Sequence, residues 1–314
     1  MTQPLVSVVI PCFNAERWIA EAIRSALDQT YPRIEVVVID DGSTDGSLAV
    51  VRSFGDRIRW ETGPNRGGNA ARNRGMALAQ GEYVQFLDAD DFLLPEKIAE
   101  QVASLERTGA TAAYGDWRHQ FHEPDGAVWL GPVQVMGPRE DLLESLLMRR
   151  WIPTVTLCLR KRVVERLGGW DESLAAAQDI DLVFALVLGG EPFVYCSGCH
   201  AIYRRYGAVT VSTTNRQRWL EATTRVAVKV EKGLAAVDWQ TPRHRRALAG
   251  LFFYLGREFL RFSRTRYRDC VARTLAVDPG YRFQGSPGYR RLQSVLGFRT
   301  TERLASWWRA CAKR

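Results

Sequence analysis

Through the first hundred residues, short β-branched runs alternate with stretches in which apolar positions recur every three or four residues. The runs VSVVI (6–10), IEVVVID (34–40), IRWE (58–61) and YVQFL (83–87) predict strands, and the stretches 15–29, 44–54 and 67–80 predict helices between them. In the first of these helices Ile19, Ala22, Ile23, Ala26 and Leu27 share one face, and Asn14 stands where an N-cap is expected. Strands this uniformly apolar are buried on both sides. Repeated βαβ units of that kind predict a parallel sheet covered by helices, with right-handed crossovers. Ligands of such sheets lie beyond the carboxyl ends of the strands. Those ends read PCFN (11–14), DDGSTDGS (40–47), GPNRGGNAARN (63–73) and DADD (88–91), all polar or small.

From about 111 to 210 the pattern loosens. Longer strands are expected in TAAYGDW, PTVTLCLR and EPFVYCSGCHAIYRR, separated by helices near 138–149, 161–167 and 179–189. After about 215 everything reads as helix, with arginines and aromatics interleaved as in LFFYLGREFLRFSRTRYRD. Charge follows the same division: residues 1–200 hold 19 Lys and Arg against 28 Asp and Glu, and residues 201–314 hold 24 against 7. An acidic first part and a strongly basic last part suggest two functional regions, the second facing a polyanion. With 314 residues and 46% hydrophobic content the composition is that of a globular chain, and its longest apolar run, LVFALVL (182–188), is too short to span a bilayer. No basic leader precedes VSVVI, so a cytoplasmic location and six free cysteines are expected.

Three carboxylates within four positions, Asp88, Asp90 and Asp91, at a strand end call for a cation to neutralise them. A divalent ion with hard oxygen ligands, Mg²⁺ or Mn²⁺, suits such a loop. The chain has no GxxxxGK[ST] loop and no GxGxxG after its first strand, which excludes the common mononucleotide and dinucleotide fingerprints. CSGCH (196–200) has the form of a haem-attachment or half-zinc motif, but it lacks an export signal for the first and two further ligands for the second. Core strand cysteines are the expectation there, and HQFHE (119–123) is read as a strand or loop without a metal.

Taken in order, SVVIPCFNAERWIAEAIRSALDQTYPRIEVVVIDDGSTDGS, ARNRG, FLDADD and QDIDL resemble the family 2 glycosyltransferases, over roughly residues 5–212. The resemblance implies an α/β fold of GT-A type, a Rossmann-like mixed sheet flanked by helices, with a helical C-terminal extension. It implies a catalytic domain at 1–212, with a nucleotide-binding half to about 110 and an acceptor half beyond, and a basic helical region at 213–314. Residue by residue, it implies a nucleotide site of Pro11, Phe13, Asn14, Asp41, Arg72 and Asp88, a metal ligand at Asp90 and a catalytic base at Asp179. Asp41, with Asp40 beside it, would accept from a ring N–H of uracil or thymine, and Phe13 would pack on the base or merely on its neighbours. Asp181 reads as a helix N-terminal charge.

Two departures from the family pattern stand out. Gln178 replaces a common Glu before the base, and Tyr206 stands in YRRYGAVTVS (203–212) where relatives carry a histidine, leaving Arg204 or Arg205 as substitutes. The QxxRW signature of processive relatives is missing, which implies one sugar per acceptor visit. The expected activity is inverting, metal-dependent transfer from a nucleotide-diphosphate sugar, UDP or dTDP favoured, to a glycan or lipid-linked acceptor in cell-surface polysaccharide or glycolipid synthesis. Nucleic acid is not an expected partner. The basic tail reads as a solvated cap, an acceptor clamp or a peripheral contact with the inner face of the membrane. Rival classes are a non-catalytic platform of the same fold with a polyanion-binding tail, and a nucleotidyltransferase releasing pyrophosphate.

Overall fold

A computed structural model describes residues 3–206, 215–236 and 241–311, with side chains to 305. The loop expected at 207–212 lies outside these described residues, as do the side chains of the aromatic-basic end of the tail beyond 305. The chain divides into two compact units, Met1–Glu140 with Trp151–Trp219, and Asp141–Arg150 with Leu220–Arg314.

The first unit begins β1 (Val6–Cys12), α1 (Ile19–Leu27), β2 (Ile34–Asp40), α2 (Ser47–Arg52), β3 (Arg59–Thr62), α3 (Gly68–Leu78) and β4 (Tyr83–Phe86). These strands pair in parallel in the order β3-β2-β1-β4. Val6, Val8, Val9 and Ile10 of β1 are fully buried, as their apolar run requires. Ile19, Ala22, Ile23 and Ala26 form the buried face of α1. That helix starts later than the sequence suggests, and its N-cap residue Trp18 makes no side-chain capping bond. Asn14 is diverted instead: it sits at φ 48°, its N–H donates to Ser43 Oγ (3.0 Å), and its Oδ1 accepts from the Thr44 N–H (2.8 Å). The expected helix cap is thus a clasp between two strand-end loops, because Asn tolerates the left-handed region and its side chain can mimic a backbone turn.

Beyond β4 the sheet turns mixed. The elements are β5 (Phe92–Leu93), α4 (Lys97–Thr108), β6 (Ala112–His122), β7 (Val128–Gln134), β8 (Cys158–Arg160), α6 (Lys161–Arg166), α7 (Gln178–Leu188) and β9 (Phe193–Tyr206), with α5 (Leu142–Leu147) assigned to the second unit. The strand order continues β4-β8-β6-β9-β5, with β8 antiparallel to both neighbours, β9 parallel to β6, and β7 on the outer edge of β6. The two-residue strand β5 and the edge strand β7 had no signal in the alternation pattern. Gly198, at φ 106°, marks a break in the β6–β9 register inside CSGCH. Cys196 is buried and Cys199 partly so, both free thiols, and burial raises both above the usual thiol pKa. Among the described residues no three His, Cys, Asp or Glu converge as a metal cage.

The second unit holds α5, α8 (Arg216–Ala236) from Leu220 on, α9 (Pro242–Phe259), α10 (Arg264–Val277) and α11 (Pro287–Cys311), which Gly297 interrupts at φ 73°. Thr241 and Ser263 cap α9 and α10, and Pro242 opens α9 where its missing N–H is harmless. Ala249, Phe253, Tyr281 and Phe298 make its core. A groove of about 720 Å³ is lined by Arg225, Lys229, Arg266 and Arg273 together with Glu221 and Asp269, over Phe259 and Cys270. No described helix is long and apolar enough to cross a membrane.

Candidate active site

Four strand ends of the first unit gather the chemistry. At the end of β2, Asp40 and Asp41 diverge. Asp40 is turned into the fold, accepting from Thr62 Oγ1 (2.6 Å) and the Ser43 N–H (3.3 Å). The buried Asp41 carboxylate accepts the Arg66 and Gly67 N–H groups, each at 2.8 Å, and so fixes the loop that opens α3. Gly42 follows at φ 76°, where a Cβ would lie 2.8 Å from the Asn65 nitrogen, so the turn has room for glycine alone. Pro11 pairs with Ile39 near the end of β1, and Phe13 beyond it is 50% exposed.

Helix α3 then presents Arg72. Its guanidinium is buried, bonds Asp88 Oδ1 at 2.5 Å, and lies 4.7 Å from the ring centre of Trp170. Asn69 and Asn73, one turn apart on the same helix, donate to the carbonyls of Asp171, Leu174 and Trp170 and thereby tie the 170–174 loop to α3. Arg72 Nε and Trp170 Nε1 are buried with no hydrogen-bond partner. Buried donors left unpaired in this way are costly and mark places where a ligand or water supplies the acceptor.

The three carboxylates of DADD do not act alike. Asp88 pairs with Arg72. Asp91 is buried and accepts the Arg204 N–H at 2.8 Å, and burial, with Asp90 and Asp88 adding repulsion, holds its carboxyl well above the usual range. Asp90 accepts from the Tyr206 hydroxyl at 2.9 Å, and burial and the Asp88 charge raise its pKa too. A cation at Asp90 fits this donor set, since the Asp88 charge repels the carboxylate, Arg72 is engaged by Asp88, and Arg204 bonds the Asp90 carbonyl while its charge offsets the repulsion only in part. Only one or two protein oxygens are on offer, so the remaining positions suit phosphate and water, as is usual for Mg²⁺ or Mn²⁺.

Arg204 is no substitute for a diphosphate-binding histidine. It is buried behind the loop, donating to the Asp90 carbonyl (3.0 Å) and to Gln120 Oε1 (3.1 Å), pairing with Glu21, and lying between the rings of Trp18 and Phe92. It braces the acidic loop.

Opposite, Ala177 at φ 57° turns the chain into α7, so that Asp179 lies in the helix's first turn. A non-glycine residue there is strained, and such strain concentrates where a side chain must be aimed. The Asp179 carboxylate accepts its neighbour Ile180's N–H (2.9 Å); burial raises its pKa and the Asp88 charge adds to the effect. Asp179, Asp88, Arg72 and Asp90 thus share one region, and Asp41 is tied to it through the loop it holds ahead of the Arg72 helix, whereas Phe13 and Asn14 lie on the loop after β1, Asn14 bonded to the loop after β2. The sequence reading had missed Asn69, Asn73 and Trp170, and had given Arg204 a different role; the double glycine before Trp170, both residues at positive φ, was the signal available for that loop.

Strand order and the acidic loop at the end of β4 define the class: the fold is of GT-A type, a mixed sheet flanked by helices. The family model for glycosyl transferase family 2 matches residues 7–166, about half of the chain, and the chain belongs to that family. It is 36% identical over 190 residues to an uncharacterized glycosyltransferase of Rickettsia felis, covering 59% of this chain and 31% of that protein. With an uncharacterized glycosyltransferase of Haemophilus influenzae the identity is 37% over 121 residues, 37% of this chain and 48% of the relative. The chain therefore spans a third to a half of these relatives. Among solved structures, residues 1–349 of S. aureus TarS in complex with UDP-GlcNAc share the fold, with TM-score 0.69, 20% identity, and coverage of 95% of this chain and 90% of that one. A mannosyltransferase of Pyrobaculum calidifontis in complex with GDP-Man and Mn²⁺ aligns with TM-score 0.56 at 20% identity, covering 100% of this chain and 82% of that one.

Proposed function

We propose that the chain is an inverting glycosyltransferase that moves a sugar from a nucleotide-diphosphate donor, UDP- or dTDP-linked, to an acceptor hydroxyl. The observation that carries this is the Asp179 carboxylate, raised in proton affinity and held at a strained helix start near the Arg72–Asp88 pair. A base of raised pKa is suited to taking a hydroxyl proton near neutral pH. Asp179 takes the acceptor proton as the acceptor oxygen attacks the anomeric carbon from the side opposite the leaving diphosphate, so the configuration inverts in one displacement. Asp41 and the loop it fixes flank the base, with Phe13 against its face. Arg72 and Asp88 orient the ribose and diphosphate. Asp90 would hold Mg²⁺ or Mn²⁺, which would supply Lewis-acid stabilisation to the departing nucleoside diphosphate.

The reading is supported by the donors in the complexes named above, UDP-GlcNAc for TarS and GDP-Man with Mn²⁺ for the archaeal mannosyltransferase. A glycan or lipid-linked acceptor of the cell surface fits the basic C-terminal part of the chain, where residues 201–314 hold 24 Lys and Arg against 7 Asp and Glu, a balance that suits a polyanion or an anionic membrane surface. The test is Asp179→Asn. Transfer, followed as released nucleoside diphosphate, is expected to fall at least about a thousandfold while the thermal shift with UDP and Mn²⁺ persists. Loss of the nucleotide shift as well would make Asp179 a structural residue.

A further inference from the structure

A surface helix ordinarily buries its apolar stripe and turns its polar side to water. Helix α11 of the second unit does the reverse over much of its length. Its buried side is largely polar: Gln293 accepts the Phe283 N–H at 3.0 Å, Thr301 donates to the Gly297 carbonyl at 2.8 Å, and Glu302 accepts from Arg257 at 2.8 Å and from the Tyr289 hydroxyl at 2.7 Å. Among its described residues, Phe298 alone joins the buried apolar core. The aliphatic side chains point outward instead. Val295 is 79% exposed, and Leu292, Leu296 and Leu304 are 40%, 41% and 45% exposed. Leu292, Val295 and Leu296 stand at i, i+3 and i+4, so they form one face of the helix before the break at Gly297. Arg290 and Arg291 precede that face and Arg299 follows it, all three exposed.

The polar inner side fixes this orientation. Turning α11 to bury its aliphatics would part Glu302 from Arg257, and a buried ion pair that loses one partner is strongly destabilising. The outward face is therefore built into the fold. The charge around it selects the occupant. A second copy of the chain, laid face to face, would bring two sets of arginines together, and like charges across an interface are unfavourable. An anionic lipid surface answers both features at once, its acyl boundary taking the aliphatics and its headgroup phosphates the arginines. The wider balance agrees, with 24 Lys and Arg against 7 Asp and Glu over residues 201–314.

We infer that the outer face of α11, Leu292, Val295 and Leu296 with Arg290, Arg291 and Arg299 about it, lies in the headgroup layer of an anionic membrane. The inference goes beyond the transferase reading and does not depend on it; a lipid-linked acceptor would be met at such a surface. The experiment is co-sedimentation of the full chain with vesicles of equal parts phosphatidylcholine and phosphatidylglycerol, and with phosphatidylcholine alone, beside a thermal-shift titration with UDP and Mn²⁺. The chain binds the mixed vesicles at least about tenfold more tightly than the neutral ones. Changing Leu292, Val295 and Leu296 together to serine weakens that binding about tenfold or more, since affinity scales with the apolar area inserted. Changing Arg290, Arg291 and Arg299 together to glutamine weakens it about a hundredfold, at about fivefold for each arginine. Both variants keep the parent's Tm and its nucleotide shift. Should the serine variant fail to fold, Val295→Ser alone, at the most exposed position, carries the same expectation in smaller measure. Absence of binding to the mixed vesicles, or binding indifferent to both variants, overturns the proposal and leaves the transferase reading standing. Sensitivity to the arginines alone also overturns it, in favour of a surface contact with polyanions that inserts nothing. A dimer by light scattering that Val295→Ser dissociates overturns it in favour of self-association. Vesicle binding that depends on both sets of residues, without any nucleotide shift, upholds the membrane face and removes the transferase reading.

Discussion

Replacing Asp41 by asparagine separates two jobs that the sequence merged into one. The carboxylate accepts two backbone N–H groups at 2.8 Å, from Arg66 and Gly67, on the loop leading into the helix that carries Arg72. Asparagine offers one oxygen and one NH₂, so one of the two amides loses its acceptor and faces a donor. Hydrogen bonds to charged groups contribute about 1.5–3 kcal/mol each, so the loop loses about 2 kcal/mol. For a unit of this size that lowers Tm by about 4–8 °C. If the loop must be ordered to bind, affinity for every nucleotide falls about 30-fold. A base read by Asp41 adds a selective term: UDP then weakens more than CDP, because uracil N3 carries a hydrogen that the carboxylate would accept in the proposed pose and cytosine N3 carries none. Differential scanning calorimetry and isothermal titration with UDP and CDP measure both. A Tm unchanged within 1 °C would refute the loop-holding argument, and an equal loss for both nucleotides would refute base reading by this residue.

Three further outcomes follow from titratable groups in and beneath the site. Asp179 has a folded pKa above its unfolded value, so the native state holds the proton more tightly and stability declines as pH rises between the two values. Asp179→Asn should therefore be as stable as the parent or more so at pH 7.5, with the difference vanishing in acid, while the parent's transfer rate falls as pH drops through a midpoint above the usual carboxylate range; a variant less stable at pH 7.5 refutes this. Lys97 is wholly buried against Gln101 Oε1 (2.5 Å), Gln85 and the Leu157 carbonyl, and burial lowers its pKa to about 8. Its folded pKa is depressed, so the parent gains stability from about pH 8 upward, by at most about 1.4 kcal/mol per pH unit, until the buried Cys158, raised to about 11, opposes the gain above about pH 9. Urea titrations at pH 7.5 and 8.7 should show that gain in the parent and not in Lys97→Met; equal slopes would place the lysine's titration elsewhere. Tyr206→Phe removes a hydrogen bond that favours the ionised form of Asp90, so apparent Mn²⁺ affinity should drop up to about tenfold at pH 6 and little at pH 8; tighter Mn²⁺ binding at both values would mean that the hydroxyl competes with the metal.

The parallel core was legible because its signal is local. Uniform β-branched runs and a period of 3.6 in 15–29 arise from burial on both faces and on one stripe, and these requirements act within a few residues. The acidic loop was legible as well, since repulsion among Asp88, Asp90 and Asp91 is a matter of spacing. Their separate partners were not. Asp91 answers to an N–H from Arg204, 113 positions on, and Asp88 to Arg72 on a different helix. Likewise Asn14 looked like a helix cap because capping is judged from the following residues, whereas its side chain reaches the Thr44 amide across the sheet.

The departures from the family pattern take on a physical meaning once those partners are known. Tyr206 differs from a histidine in being a neutral donor at any pH near 7, so it bonds Asp90 without adding positive charge to the loop. The loop keeps its negative character, and Arg204 supports it from behind through the Asp90 carbonyl, offsetting the carboxylate's charge only in part. On the proposed reading a cation would then be more strongly required than with a histidine carrying part of that charge. Metal dependence should accordingly be steep. Replacing Tyr206 by histidine should relax it most at pH 6, where imidazolium supplies charge, and least at pH 8. A Tyr206→His variant with the same Mn²⁺ requirement at both values would show that the charge at this position does not govern the site.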